Sequence, residues 1–145
     1  MPDPAAFVEK FARFWAAPSL DGFAAVLRPD VTLVQPLSPP MRGLDAVRAA
    51  FAPVFRWLPD LCGTVDRWTA TPDGVVVFIE FRLRATIGGR PFEWQLVDRF
   101  DVGADGLATA RVSYFDPLPL LAATAGRPST WWAFVRSGAA ASLLR

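Results

Sequence analysis

The 145-residue sequence has no histidine, one cysteine (Cys62), one lysine (Lys10) and one tyrosine (Tyr114). Without histidine, Ser-His-Asp and Cys-His nucleophile systems, histidine general bases and histidine-ligated zinc or iron are all excluded. A single cysteine rules out an internal disulfide and a cysteine-built zinc site, and it suits a cytoplasmic protein. The basic residues are almost all arginine, spread along the chain without a run, and the net charge is +1. That distribution leaves no electrostatic footprint for nucleic acid. No apolar run approaches the roughly 20 residues of a membrane span. Met1-Pro2-Asp3-Pro4 lacks the basic and apolar regions of a signal peptide. Acid–base chemistry is left to Asp, Glu, Tyr114, Lys10 or water.

What is present is apolar. Hydrophobic residues make up 52% of the chain and charged residues 20%, which predicts one domain with a real core and argues against disorder. Asp3-Pro4 reads as an N-cap and first turn, after which Phe7, Val8, Phe11, Phe14 and Trp15 form one helical stripe. Ser19 can cap a short second helix with Leu20, Phe23, Ala24 and Leu27 on its apolar face. Val31 to Gln35 reads as a strand that ends in the loop Pro36-Leu37-Ser38-Pro39-Pro40. A third helix carries Leu44, Val47, Phe51, Val54, Phe55 and Leu58, with Pro53 expected to kink or divide it.

From residue 61 the period changes to two. Strands are predicted over 61–71, 75–87, 90–102 and 107–115, separated by Pro72-Asp73-Gly74, Gly88-Gly89 and Gly103-Ala104-Asp105-Gly106. A two-residue turn at Gly88-Gly89 places Ala85 opposite Phe92, Leu83 opposite Trp94, Phe81 opposite Leu96 and Ile79 opposite Asp98. The apolar phases then coincide along the whole hairpin. With Val102 opposite Leu107, the next pairing places Arg111 opposite Asp98 and Ser113 opposite Leu96. Helices followed by a long antiparallel sheet give an α+β layout, helices covering one face of a curved sheet.

One residue breaks this pattern. Phe92, Trp94, Leu96, Phe100 and Val102 form the apolar phase of their strand; Glu93, Gln95, Arg99 and Asp101 lie in the opposite phase, with Val97 as its exception. Asp98 sits in the apolar phase, where a carboxylate is costly unless paired, hydrogen-bonded or protonated. It is either a pocket acid with a raised pKa or half of an ion pair with Arg111.

The chain resembles the SnoaL-like branch of the nuclear transport factor 2-like superfamily over about residues 5–117. The resemblance rests on the Phe-x-x-Phe-Trp helix, Asp30-Val31-Thr32-Leu33-Val34-Gln35-Pro36, Gly43 before the third helix, Val97-Asp98-Arg99-Phe100-Asp101-Val102, Asp105-Gly106 and Ser113-Tyr114-Phe115-Asp116. It implies a conical α+β barrel (residues 1–117) wrapped by three N-terminal helices, a deep apolar pocket and a homodimer. Family members include isomerases, cyclases, dehydratases, an epoxide hydrolase and non-catalytic binders, so the fold does not decide function. Ketosteroid isomerases place a base aspartate where this chain has Gln35 and an oxyanion-hole tyrosine at about Phe14; their oxyanion-hole aspartate matches Asp98. Limonene epoxide hydrolases align from Asp30 to Gly43 without a gap. Their water-holding tyrosine and asparagine become Leu33 and Gln35, their Arg-x-Asp pair falls on Phe81 and Leu83, and their last catalytic aspartate is Ser113. SnoaL-type cyclases employ a histidine–aspartate pair. None of these three catalytic sets is complete here.

The expected site is therefore a cofactor-free, metal-free pocket for a small, mostly apolar, oxygen-bearing molecule. Asp98, Arg111 and Gln35 are its candidate catalytic residues; Phe14, Trp15, Leu33, Phe81, Leu83, Trp94, Leu96, Ser113 and Phe115 are its candidate walls. An isomerase, cyclase or hydrolase and a non-catalytic ligand-binding or interaction domain are the two functions to be separated. Residues 118–145 form an extension with two helices, 118–125 and 129–144, broken at Gly126-Arg127-Pro128. The second exposes Trp131, Trp132, Phe134 and Val135 to cover the pocket, the sheet or a partner, extra packing being favoured slightly over a lid.

Overall fold

A computed structural model of the chain describes residues 1–126 and 128–138. Helix α1 (Pro4–Ala16) starts where Asp3 Oδ1 accepts from the Ala6 amide at 3.1 Å, and its whole stripe Phe7, Val8, Phe11, Phe14 and Trp15 is buried. The predicted second helix is a single 3-10 turn, Asp21–Ala25. Ser19 does cap it, accepting from the Gly22 amide at 3.0 Å. Leu27 is not part of it: strand β1 (Leu27–Gln35) begins there, four residues earlier than expected, because Leu27 already pairs with Ala108.

The proline-rich loop is a second correction. Ser38–Arg42 forms β2, folding back on β1 with Leu33 opposite Met41. Pro39 and Pro40 are tolerated because β2 is an edge strand, with no further strand beside it among the described residues. Helix α2 (Leu44–Trp57) is one helix; Pro53 lies inside it without dividing it. Strands β3 (Cys62–Ala70), β4 (Val76–Ile87), β5 (Arg90–Val102) and β6 (Ala108–Tyr114) follow, each within two residues of its predicted range.

The six strands form one sheet in the order β2-β1-β6-β5-β4-β3, antiparallel except for the β1–β6 pair. All four predicted β4–β5 pairs are present. Gly88 and Gly89 have φ of 59° and 75°, as the primed hairpin turn demands. The β5–β6 register differs from the expectation by two residues. Val102 pairs with Ala108 and not Leu107, and a bulge between Asp101 and Val102 adds a second place, which puts Ser113 opposite Asp98 and Arg111 opposite Phe100. A two-residue slip preserves the face of every side chain, so Arg111 still points inward, diagonal to Asp98 instead of opposite it.

Helix α1 and the aromatic side chains beneath it fill one end of the cone. Phe7 and Phe11 pack edge-on against Phe100, and Phe11 against Phe81, with centroids 4.9–5.4 Å apart. Gly63 on β3 permits this close approach: a Cβ there would lie 2.8 Å from the Leu83 side chain and 3.0 Å from Trp15 Cβ. Helices α3 (Leu118–Ala125) and α4 (Pro128–Ser137) close the other end. Asp116 caps α3 by accepting from the Leu118 amide at 3.0 Å. The expected continuation of the last helix to Leu144 lies outside the described residues. No described helix is long and apolar enough to cross a membrane.

Candidate functional site

A cavity of about 290 Å³ opens between the inner sheet face, α2 and the α3–α4 pair. It is reached from several of the strands: Phe81 and Leu83 from β4, Trp94, Leu96 and Asp98 from β5, Arg111 and Ser113 from β6, and Gln35 from the end of β1. Trp15 and Phe115 complete the expected walls that are present. Phe14 and Leu33 are not among the lining residues. Phe14 turns toward Phe23, with ring centroids 4.6 Å apart, and Leu33 is fully buried in the core. Both were placed in the pocket by resemblance; the helix stripe and strand phase fix only that they face inward, not that they reach the cavity.

The polar groups collect at one end. Asp98 is 0% exposed and Arg111 6%. Arg111 Nε lies 3.7 Å from Asp98 Oδ2, its Nη2 donates to Gln35 Oε1, and its guanidinium carbon sits 5.9 Å from the centroid of the Phe51 ring. Among the described residues, neither carboxylate oxygen of Asp98 completes a hydrogen bond, nor does Arg111 Nε. Burial raises the Asp98 pKa above the ordinary carboxylate value. The nearby Arg111 charge pulls it down less strongly, and the Ser113 hydroxyl across the ladder adds a weaker pull although its geometry falls short of a full bond. The two sequence alternatives for Asp98 thus coexist: it lies within ion-pair distance of Arg111 and still holds its proton more tightly than a free aspartate.

Much of the remaining wall was not anticipated. Helix α2 contributes Ala50, Phe51, Val54 and Trp57; Phe51 and Val54 were legible as part of an apolar stripe that gave no sign of facing a cavity, and Ala50 and Trp57 lay outside that stripe. From α3 and α4 come Leu120, Leu121, Thr124, Ala125, Trp131 and Phe134. Phe134 packs edge-on against Trp57 at 4.9 Å, and Arg56 donates to the Ser137 carbonyl at 3.0 and 3.3 Å, so α4 is fastened to α2. The helical tail is a wall of the cavity, more than peripheral packing. Its rim is marked by lining residues that remain exposed: Leu37, Leu121 and Trp131, at 42%, 37% and 50%. Leu37 has φ of 63°, a left-handed conformation that a leucine adopts only under constraint from the tight β1–β2 turn.

No curated protein matches the sequence. Solved structures match its fold. A putative SnoaL-like polyketide cyclase from Jannaschia sp. CCS1 is 21% identical with a TM-score of 0.70, over 86% of this chain and 94% of that one. Wild-type IdmH, a putative polyketide cyclase from Streptomyces antibioticus, is 19% identical with a TM-score of 0.70, over 83% and 97%. A protein with a ketosteroid isomerase-like fold from Catenulispora acidiphila, in complex with trimethylamine, is 20% identical with a TM-score of 0.72, over 86% and 95%. At such identities the likeness speaks for the fold alone. The SnoaL-like domain family model matches residues 8–111, from the first helical stripe through Arg111, and the chain belongs to that family.

Proposed function

We propose that this protein is a cofactor-free enzyme of the isomerase, cyclase or hydrolase type, acting on a small, mostly apolar molecule that carries oxygen. The observation that carries this reading is the fully buried Asp98, its pKa raised by that burial, beside Arg111 and Gln35 at the polar end of an aromatic-walled cavity. A carboxylic acid kept neutral by burial can donate to a carbonyl or enol oxygen, and a guanidinium beside it stabilises the oxyanion that develops. Gln35 accepts from Arg111 Nη2 and so orients the guanidinium. Ser113 pairs with Asp98 across the ladder and serves it as a polar neighbour.

A non-catalytic binding role is the second reading, favoured by one observation: Asp98 and Arg111 are the only ionisable side chains among the lining residues, and Arg111 cannot act as a base. The two readings separate on the small molecules that co-purify with the protein. Wild-type protein and Asp98→Asn, made in the same host, are compared by native mass spectrometry and chromatography of the released ligand. The enzyme reading expects product on the wild type and an unconverted precursor on the variant. An identical molecule on both would establish a binder.

The assembly we infer is a homodimer through the outer sheet face. Phe78, Val97 and Tyr114 are 38%, 37% and 54% exposed there, and Val97 pairs directly with Tyr114 across β5–β6. They interrupt a face otherwise tied by the ion pairs Arg67–Glu80 and Arg82–Asp66. Apolar groups of this size in a polar setting mark an interface core. Light scattering should give a dimer for the wild type and a monomer for Tyr114→Asp; a wild-type monomer at every concentration rejects the interface.

A further inference from the structure

The polar end of the cavity is incompletely satisfied in a way that specifies the charge of its ligand. A buried guanidinium and carboxylate ordinarily meet through parallel N–H···O bonds. Here the closest approach is 3.7 Å, and Arg111 Nε and both Asp98 oxygens are buried without a hydrogen-bond partner. Arg111 can only donate, and it is always charged. Asp98, once protonated, also donates. An oxygen that accepts from both groups completes the site, and a negatively charged one also balances Arg111 when Asp98 is neutral. If Asp98 were ionised, a bound anion would leave two negative charges sharing one cation in an apolar enclosure, which is strongly disfavoured.

The surroundings offer no other charge to settle the balance. Asp98 faces Ile79 on β4 and Ser113 on β6, and Arg111 meets Phe51 from α2 and Gln35 from β1. None of these neighbours is charged. The aromatic walls favour a planar molecule, and about 290 Å³ lies at the small end of the roughly 300–1,000 Å³ usual for ligand sites.

We propose that the cavity takes a flat, one- or two-ring molecule bearing a single oxyanion (a carboxylate, phenolate or enolate), that Arg111 receives this oxyanion, and that the molecule binds together with one proton held on Asp98. The proposal rests on the cavity being a ligand site, as inferred above, and adds the charge of the ligand and its coupling to a proton. The raised proton affinity of Asp98 points the same way as this geometry, since burial already favours the neutral acid.

The test uses 2-naphthoate and its neutral counterpart 2-naphthamide as probes, with titration calorimetry in phosphate and in Tris. At pH 6 the carboxylate should bind at least tenfold more tightly than the amide. Uptake of one proton makes its affinity fall about tenfold per pH unit once the pH exceeds the Asp98 pKa. The two buffers, which differ in ionisation enthalpy, should then report close to one proton taken up. Asp98→Asn, a permanently neutral stand-in, should retain naphthoate binding with neither pH slope nor proton uptake. Arg111→Met should remove the preference for the carboxylate; should that variant not fold, the wild-type slope and Asp98→Asn still decide. Equal or tighter binding of the amide, or naphthoate binding that neither weakens with rising pH nor takes up a proton at any pH up to about 9, overturns the proposal while leaving the ligand site standing. Binding of neither probe by folded protein removes both.

Discussion

Arg111→Met is expected to lower the folding free energy by about 3–5 kcal/mol at high pH, where removing one partner strands the other as a buried, uncompensated charge. The loss should shrink at low pH, and the sign follows from Asp98. Its folded pKa lies above the unfolded value, so the folded state binds more protons than the unfolded state between the two. Stability of the wild type therefore declines as pH rises from the ordinary aspartate value through the raised one. Arg111 limits that decline, because it is the charge that pulls the Asp98 pKa back down. Without it the acid must keep its proton or carry a bare charge, and the deficit of the variant grows with pH. Combining Arg111→Met with Asp98→Asn should recover part of the loss and flatten the profile, since neither charge remains. Denaturant unfolding at about pH 5 and about pH 8 for the four members of the cycle measures the coupling. A pH-independent loss of the same size in single and double variants would show that Arg111 matters for packing against Phe51 and Gln35 and not as a charge.

The position of Asp98 was legible before any coordinates because a strand has a period of two and a tight hairpin has a fixed register. Gly88-Gly89 sets the β4–β5 pairing, and the pairing sets the face. The next turn is longer: Val102 meets Ala108 and not Leu107, and the bulge at Asp101–Val102 adds a second place, so Arg111 lies two places from its expected position on β6. Sequence phase cannot detect an even slip, which is why the partner of Asp98 was right in identity and face but wrong in position. The edge strand β2 was hidden by Pro39 and Pro40, whose usual meaning is a loop; only knowledge of an unpaired outer edge makes them acceptable. Phe14 and Phe51 are both buried aromatic residues on amphipathic helices, yet only Phe51 lines the cavity. Helical spacing distinguishes inside from outside. It does not distinguish a filled core from a hollow one, since that depends on how far apart two layers stand.

Removing residues 129–145 is expected to cost several kilocalories per mole and the enclosure of the site. Phe134 is 9% exposed and packs on Trp57, and truncation of a buried phenylalanine alone costs about 3–5 kcal/mol. The two hydrogen bonds from Arg56 to the Ser137 carbonyl are lost with it. At about 2–4 °C per kcal/mol for a chain near this size, the melting temperature should fall by roughly 10 °C. The same cut strips Trp131 and Phe134 from the cavity wall and bares the apolar side of α2, including Val54 and Trp57, so the shortened protein should aggregate and bind the naphthalene probes far more weakly. Phe134→Ala isolates the wall from the rest of the tail: it should lose about as much stability as the truncation while leaving the exposed Trp132 in place. If α4 acts as a gate for the cavity, weakening its attachment by Arg56→Ala, outside the lining, should speed both ligand association and release in stopped-flow fluorescence, with a smaller change in their ratio. A truncated protein that stays soluble, with unchanged melting temperature and unchanged probe affinity, would mean that the sheet, α2 and α3 close the site on their own and that α4 is an appendage.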